Sequence, residues 1–186
     1  MYKRQPVIRD GNVPLTDVQQ AIGGATIILR NGEPTKGGDT RYYTRQSIGI
    51  KADGTVVTVT SRGINPPISY GRTVEETGEL LKAMGCVWGL ELDGGGSATF
   101  SSRREGESMD DFQMRNFGQD GTERNVSSTL LFVSTAKGSG EFDHFSISPN
   151  NTIYTQKSEV QFSAQAVDSS GEKIDADKIP EGITWA

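Results

Sequence analysis

Three consecutive glycines, Gly94-Gly95-Gly96, follow a run of alternating side chains that ends in Leu92-Asp93, and Ser97 comes after them. Glycine loses more backbone freedom on folding than any other residue, so three in a row have to be required by something at that place. Two readings fit. One is a tight turn at which two stretches of backbone approach closely. The other is an anion cradle, in which successive N–H groups converge on a phosphate because no Cβ stands in the way. Ser97 and Thr99 would add hydroxyl donors to such a cradle, and Asp93, at the strand end, would lie beside it. The run is neither a Walker loop, which requires a lysine after its second glycine, nor G-x-G-x-x-G.

The sequence around the glycines sets their frame. Thr73 and Glu76 have the T-x-x-E spacing of a capping box. Val74, Leu81 and Met84 recur at helical spacing, joined by Leu80, and Gly85 supplies a stop, which predicts a helix over 74–84. Cys86 to Leu92 reads as a strand. Its alternation puts Trp88, Leu90 and Leu92 on one face, expected beneath the helix, and Glu91 and Asp93 on the other. Upstream, residues 25–29 form an apolar run before Asn31-Gly32, a hairpin signal. Residues 47–50 and 55–60 form a second hairpin across Ala52-Asp53-Gly54, and Gly63 to Gly71 is irregular. Cys86, Trp88 and Met84 are assigned to the core.

Further on, residues 101–126 are polar and aperiodic, the mark of a long functional or disordered loop. Residues 129–133, Thr-Leu-Leu-Phe-Val, read as a buried strand. Ala136 to Gly140 has linker composition. Beyond it, Phe145 to Pro149 and Val160 to Val167 alternate around a turn at Asp168–Gly171, in the manner of a β-sandwich that needs about 100 residues to complete. The fold class expected is α+β, with mixed or antiparallel sheets and one main packed helix, followed by an incomplete all-β Ig-like sandwich. The domains expected are 1–135, N-terminally truncated, a linker at 136–141, and the start of a sandwich over 142–186.

Composition narrows the function. Hydrophobic residues are only 33% of the 186, with Gly 23, which fits turns and short strands better than long buried helices. The net charge of −5 and the lack of a basic run exclude nucleic acid as an expected partner. Cys86 and His144 are single, so an internal disulfide is impossible and a Cys/His zinc site is not expected. His144 would have to serve any Ser-His-Asp triad from a segment that reads as a different domain. Chemistry here must come from carboxylates, arginines, hydroxyls and backbone amides, with no cofactor or metal expected. No stretch has the ~18 apolar residues of a membrane span, and no charged-then-apolar signal pattern opens the chain.

Leu92-Asp93-Gly94-Gly95-Gly96-Ser97-Ala98-Thr99-Phe100, after Leu-Lys-x-Met-Gly-Cys, resembles the hallmark of the phosphodiester glycosidase family, whose type activity is that of an N-acetylglucosamine-1-phosphodiester alpha-N-acetylglucosaminidase. Three other stretches match that family in order. They are Ala21 through Gly32, Arg45-Gln46-Ser47-Ile48-Gly49, and the closing Asn116 to Asp120-Gly121 with Glu123-Arg124-Asn125-Val126. Glu91 stands where the family usually has Asn, Ala98 where Ser or Thr is usual, and Asn125 where Pro is usual. The family's upstream Asn-Gly-Gly-Phe-Phe segment has no counterpart, which is the basis for expecting a truncated front. The 141–186 segment resembles a bacterial Ig-like domain, implying an extracellular or cell-envelope setting.

The resemblance implies hydrolysis of the sugar C1–O bond in a sugar-1-phosphodiester borne by a phosphoglycan. Phosphate is a good leaving group, so such a site needs less general acid than an ordinary glycosidase and more neutralisation of departing charge. Arg45 and Arg124 are the catalytic cations implied, and Asp93 the base for water or the nucleophile. Gly94, Gly95, Gly96, Ser97, Thr99, Glu91, Asn116 and Asp120 are the substrate-binding candidates. For Asp93 the structural alternative is a carboxylate that accepts backbone hydrogen bonds to hold the turn. For Arg45 and Arg124 it is a salt bridge, and for Asp120 a loop cap. The alternative function is a non-catalytic glycan-binding or surface-display module on the same fold.

Overall fold

The structure, a computed structural model, describes all residues except 1–4, 12, 13, 15, 17, 108–111, 117, 118, 120, 121, 151–153 and 182–186. Two compact units divide the chain, Met1–Phe100 with Met114–Leu130, and Ser101–Gln113 with Leu131–Ala186.

The first unit is a five-stranded sheet with one helix. Its strands are β1 (Thr26–Arg30), β2 (Glu33–Pro34), β3 (Arg45–Lys51), β4 (Val56–Ser61) and β5 (Cys86–Glu91), in the order β2-β1-β5-β3-β4 with every pair antiparallel. Asn31 and Gly32 both take positive φ, 53° and 80°, as the two-residue turn between β1 and β2 demands. Between β3 and β4, Gly54 has φ 86°. The Asp53 carboxylate there accepts the Thr55 N–H at 2.9 Å. The helix α1 spans Val74–Ala83. Its capping box is formed as the spacing predicts, with Glu76 N–H on Thr73 Oγ1 at 3.2 Å and Thr73 N–H on Glu76 Oε2 at 3.0 Å.

The face on which β5 meets the helix differs from expectation. Trp88, Leu90 and Leu92 are not the set beneath α1. A Cβ added to Gly89 would lie 2.7 Å from Leu81 Cδ1, and one added to Gly49 would lie 3.0 Å from Leu81 Cδ2. Gly49 and Gly89 are direct partners across β3 and β5. Together they leave a hollow that the fully buried Leu81 fills. Gly78 completes the fit from the helix side, since its Cβ would come within 2.5 Å of the Ile28 carbonyl oxygen. The reason is steric: helix and sheet approach more closely over glycine than over Trp and Leu. Trp88 instead stands on the opposite face, half-buried, with the Arg30 guanidinium 5.4 Å from its ring centre.

The buried stripe of α1 is therefore Val74, Thr77, Gly78 and Leu81. Met84, expected in the core, caps the helix and is exposed. Ile28, Leu29, Val74, Leu81 and Cys86 form the core, with Val57 and Val59 packed against it.

The polar 101–126 stretch carries two short strands, β6 (Ser101–Ser102) and β7 (Gln113–Met114). Residues 129–133 form no strand, and Leu130 to Val133 are exposed. A β-rich run is stabilised by the edge it pairs with and the face it packs on, and this one has neither among the described residues. In the second unit β8 (His144–Ser148) pairs antiparallel with β9 (Ser163–Val167). Ala166, Val167 and Ile174 are buried there, and Asp168 Oδ1 accepts the N–H groups of Ser170 and Glu172 in the predicted turn. This two-stranded ladder is what the described residues hold of the expected sandwich. No helix among them is long and apolar enough to cross a membrane.

Gly→Ala at a compatible site is normally neutral or stabilising. Gly89→Ala should instead lower stability by about 1–3 kcal/mol through overpacking, measured by urea unfolding. Part of that loss should disappear in a Leu81→Ala background, which removes Leu81 Cδ1 and leaves Leu29 Cβ, 3.0 Å from the added carbon. A Gly89→Ala variant as stable as the parent would contradict this packing.

Candidate active site

Side chains alternate along a strand, so Arg45, Ser47 and Gly49 share one face of β3, and Gly89 and Glu91 share the matching face of β5. Ser47 pairs with Glu91 as Gly49 pairs with Gly89. The face that is glycine beneath α1 thus becomes Arg45 and Glu91 further along. There it lies level with Arg72, the residue before the helix cap, which bridges to Tyr43. The expectation that Glu91 sits on the face away from the helix fails with the reassignment of the strand.

Arg45 is 7% exposed and Glu91 8%. Arg45 Nη1 donates to Glu91 Oε1 at 2.6 Å, and Nε donates to the Arg72 carbonyl at 3.1 Å. Nη2 donates to the Arg41 carbonyl at 3.0 Å and lies 3.2 Å from Asp39 Oδ2. Four of the five guanidinium donors are thereby committed to protein acceptors.

Asp39 is gripped a second time. Arg41 Nε and Nη2 reach its two oxygens at 2.8 and 2.9 Å, and the Arg41 main-chain N–H reaches Oδ1 at 3.0 Å. The guanidinium and then the main-chain N–H of Arg41, helped by Arg45, hold the Asp39 carboxyl well below the usual carboxylate range, and Asp39 raises Arg41 in turn. Arg41 and Arg45 flank the Tyr43 ring, 5.0 and 5.8 Å from its centre.

The glycine run follows β5 as a 3-10 turn over Gly95–Ser97. Gly94 needs to be glycine because a Cβ there would lie 2.6 Å from the Thr44 carbonyl oxygen. Gly95 needs to be glycine because its φ is +59°. Its N–H donates to that same Thr44 carbonyl at 2.8 Å, and the Ser97 N–H donates to Gly94 O at 3.1 Å. The three-amide cradle is thus reduced: Gly95 turns its N–H into the protein, and only Gly94 and Gly96 keep main-chain N–H groups without a backbone partner among the described residues. The close-approach reading accounts for the first two glycines.

Asp39, Arg45, Glu91, Asp93, Gly94 to Gly96 and Arg124 line one cavity of about 480 Å³. Its wall carries three carboxylates and three arginines, Arg41 being the third cation. Asp39 and Glu91 are each held by arginine, whereas Asp93 is exposed and accepts no hydrogen bond among the described residues. It does not hold the turn. Ser97 and Thr99 lie outside this wall. So does Asn116, whose amide is spent on the main chain that follows the glycines: Nδ2 donates to Ala98 O at 2.8 Å and Oδ1 accepts the Phe100 N–H. Asp120 lies outside the described residues.

Asp39, Arg41, Tyr43, Thr44 and Gln119 also line the cavity and were not anticipated. The period-two spacing of Tyr43 with Arg45 was the signal available for Tyr43.

The profile of the phosphodiester glycosidase family matches residues 2–133, most of the chain. The chain belongs to that family. No curated protein matches it.

Breaking a buried ion pair from one side leaves the other charge uncompensated, at a cost of roughly 3–5 kcal/mol. Arg45→Met and Glu91→Met should each approach that loss in urea unfolding, and the double variant should lose clearly less than the two together. Additive losses would show that the pair is not coupled.

Proposed function

We propose that the chain hydrolyses the C1–O bond of a sugar-1-phosphodiester of the N-acetylglucosamine-1-phosphodiester type. The observation that carries the reading is the state of the three carboxylates in one cavity. Two are neutralised by arginines, and Asp93 alone of the three is exposed at the end of β5 with no hydrogen bond or ion pair among the described residues. A carboxylate can attack, or activate water, only while its oxygens are not tied up by a neighbouring cation.

The bond between C1 and the bridging oxygen breaks, and that oxygen leaves with phosphorus. Water supplies the hydroxyl at C1, directly with Asp93 as base or through an ester on Asp93 that water then opens. One proton is released, and the partner keeps a phosphomonoester. The departing group gains negative charge as the bond breaks, so donors fixed in advance lower the barrier. The Gly94 and Gly96 amides and Arg124 are the groups proposed for that task, with Ser97 and Thr99 outside the wall and demoted.

The donor count of Arg45 supports a positioning role in place of substrate contact. It ties Glu91 on β5, Asp39 and the Arg41 carbonyl together beside Thr44, the residue on which the glycine turn is docked. Glu91 then acts as the counter-charge that allows Arg45 to be buried. An extracellular or envelope location, with an Ig-like module after residue 141, completes the proposal, and the β8–β9 ladder is compatible with the start of such a module.

Asp93→Asn should lower kcat on an N-acetylglucosamine-1-phosphodiester by at least about 100-fold, with the urea midpoint unchanged because the side chain holds no other group among the described residues. Full activity in that variant would sink the assignment. Binding without turnover in the parent would support the glycan-binding alternative.

A further inference from the structure

The cavity holds three cations, but only some of them can meet a phosphate. Arg45 is buried, with four of five donors committed. Arg41 is its opposite. Its side chain is 71% exposed. Asp39 takes Nε and one hydrogen of Nη2 in a fork that fixes the guanidinium plane. Both Nη1 hydrogens and the second Nη2 hydrogen make no hydrogen bond or ion pair among the described residues, so the Nη1–Nη2 edge is uncommitted.

That edge is the one an arginine uses for two parallel hydrogen bonds to a phosphate. The Tyr43 ring, 5.0 Å from the guanidinium carbon, supports the plane from one side. The grip of Asp39 removes much of the rotamer entropy that binding would otherwise cost. A loose surface arginine has none of these features.

We infer that Arg41, oriented by Asp39 and Tyr43, is a substrate-binding residue that holds the phosphate of the sugar-1-phosphodiester. The inference rests on the cavity being the phosphodiester site, and it adds a contact that the glycine run and Arg124 do not supply. Asp39 is then a positioning residue with two clients: it neutralises Arg45 inside the protein and aims Arg41 outward. Because Arg41 is paired with Asp39, its charge attracts a phosphate less strongly than a bare cation would. Recognition therefore depends on fork geometry more than on charge, and lysine should be a poor replacement.

The test is titration calorimetry of the parent, Arg41→Gln and Arg41→Lys with α-N-acetylglucosamine-1-phosphate and with N-acetylglucosamine, at fixed ionic strength. A hydrogen bond to a charged group contributes roughly 1.5–3 kcal/mol, equivalent to about 10–100-fold in Kd. Arg41→Gln should weaken the phosphorylated sugar by at least about tenfold, and Arg41→Lys should recover only part of the loss. Binding of N-acetylglucosamine should be the same in all three, which separates loss of a contact from loss of the fold. Equal affinity of the parent and Arg41→Gln for the phosphorylated sugar overturns the inference, as does a parent that does not bind it. A parent that binds with this dependence on Arg41 but turns over no phosphodiester overturns the enzyme reading and leaves Arg41 as the phosphate contact.

Discussion

The buried pairing of Arg45 with Glu91 is the interaction on which the site depends. Two charges removed from water are tolerated only if their mutual attraction and further hydrogen bonds offset the lost hydration. Here the guanidinium has four acceptors, drawn from the loop at 39–41, the residue before the helix cap, and β5. One buried cation therefore fixes three segments relative to each other. Next to it, the Thr44 carbonyl receives the Gly95 N–H, so the turn that presents Asp93 is attached to the residue just before β3.

The same sheet face serves two purposes. Beneath α1 it is stripped to glycine at Gly49 and Gly89, so that Leu81 can seat deeply. Beyond the start of the helix it carries charge. Depth of packing at one end and a polar wall at the other both follow from the alternation of β3 and β5. A change that lifts the helix would also disturb the Arg72 carbonyl on which Arg45 rests.

Much of this frame is legible in the sequence, where local chemistry decides the outcome. Thr73 with Glu76, Asn31-Gly32 and Asp53-Gly54 each specify a cap or turn through contacts within a few residues, and each forms where its spacing predicts. The face of β5 is not legible in that way. Alternation identifies Trp88 and Leu90 as one set and Gly89 and Glu91 as the other, but hydrophobicity alone points the wrong set at the helix. Only the pairing of Gly49 with Gly89, a contact between distant residues, reverses that choice. Residues 129–133 fail for a related reason, since strand composition without a partner edge does not make a strand. At the site, Asp93 and the glycines stand out as a motif. Asp39 and Arg41 do not, because their importance lies in a fork geometry that no linear spacing encodes.

In the proposed function the cavity breaks the bond between C1 and oxygen, with Asp93 directed at the sugar and the amides and arginines at the phosphate. Hydrolysis of an N-acetylglucosamine-1-phosphodiester in oxygen-18 water, followed by mass spectrometry of both products, tests this most directly. Cleavage at C1 puts the label in the sugar hydroxyl and none in the phosphomonoester. Label in the phosphate would mean that water attacks phosphorus, and would contradict it.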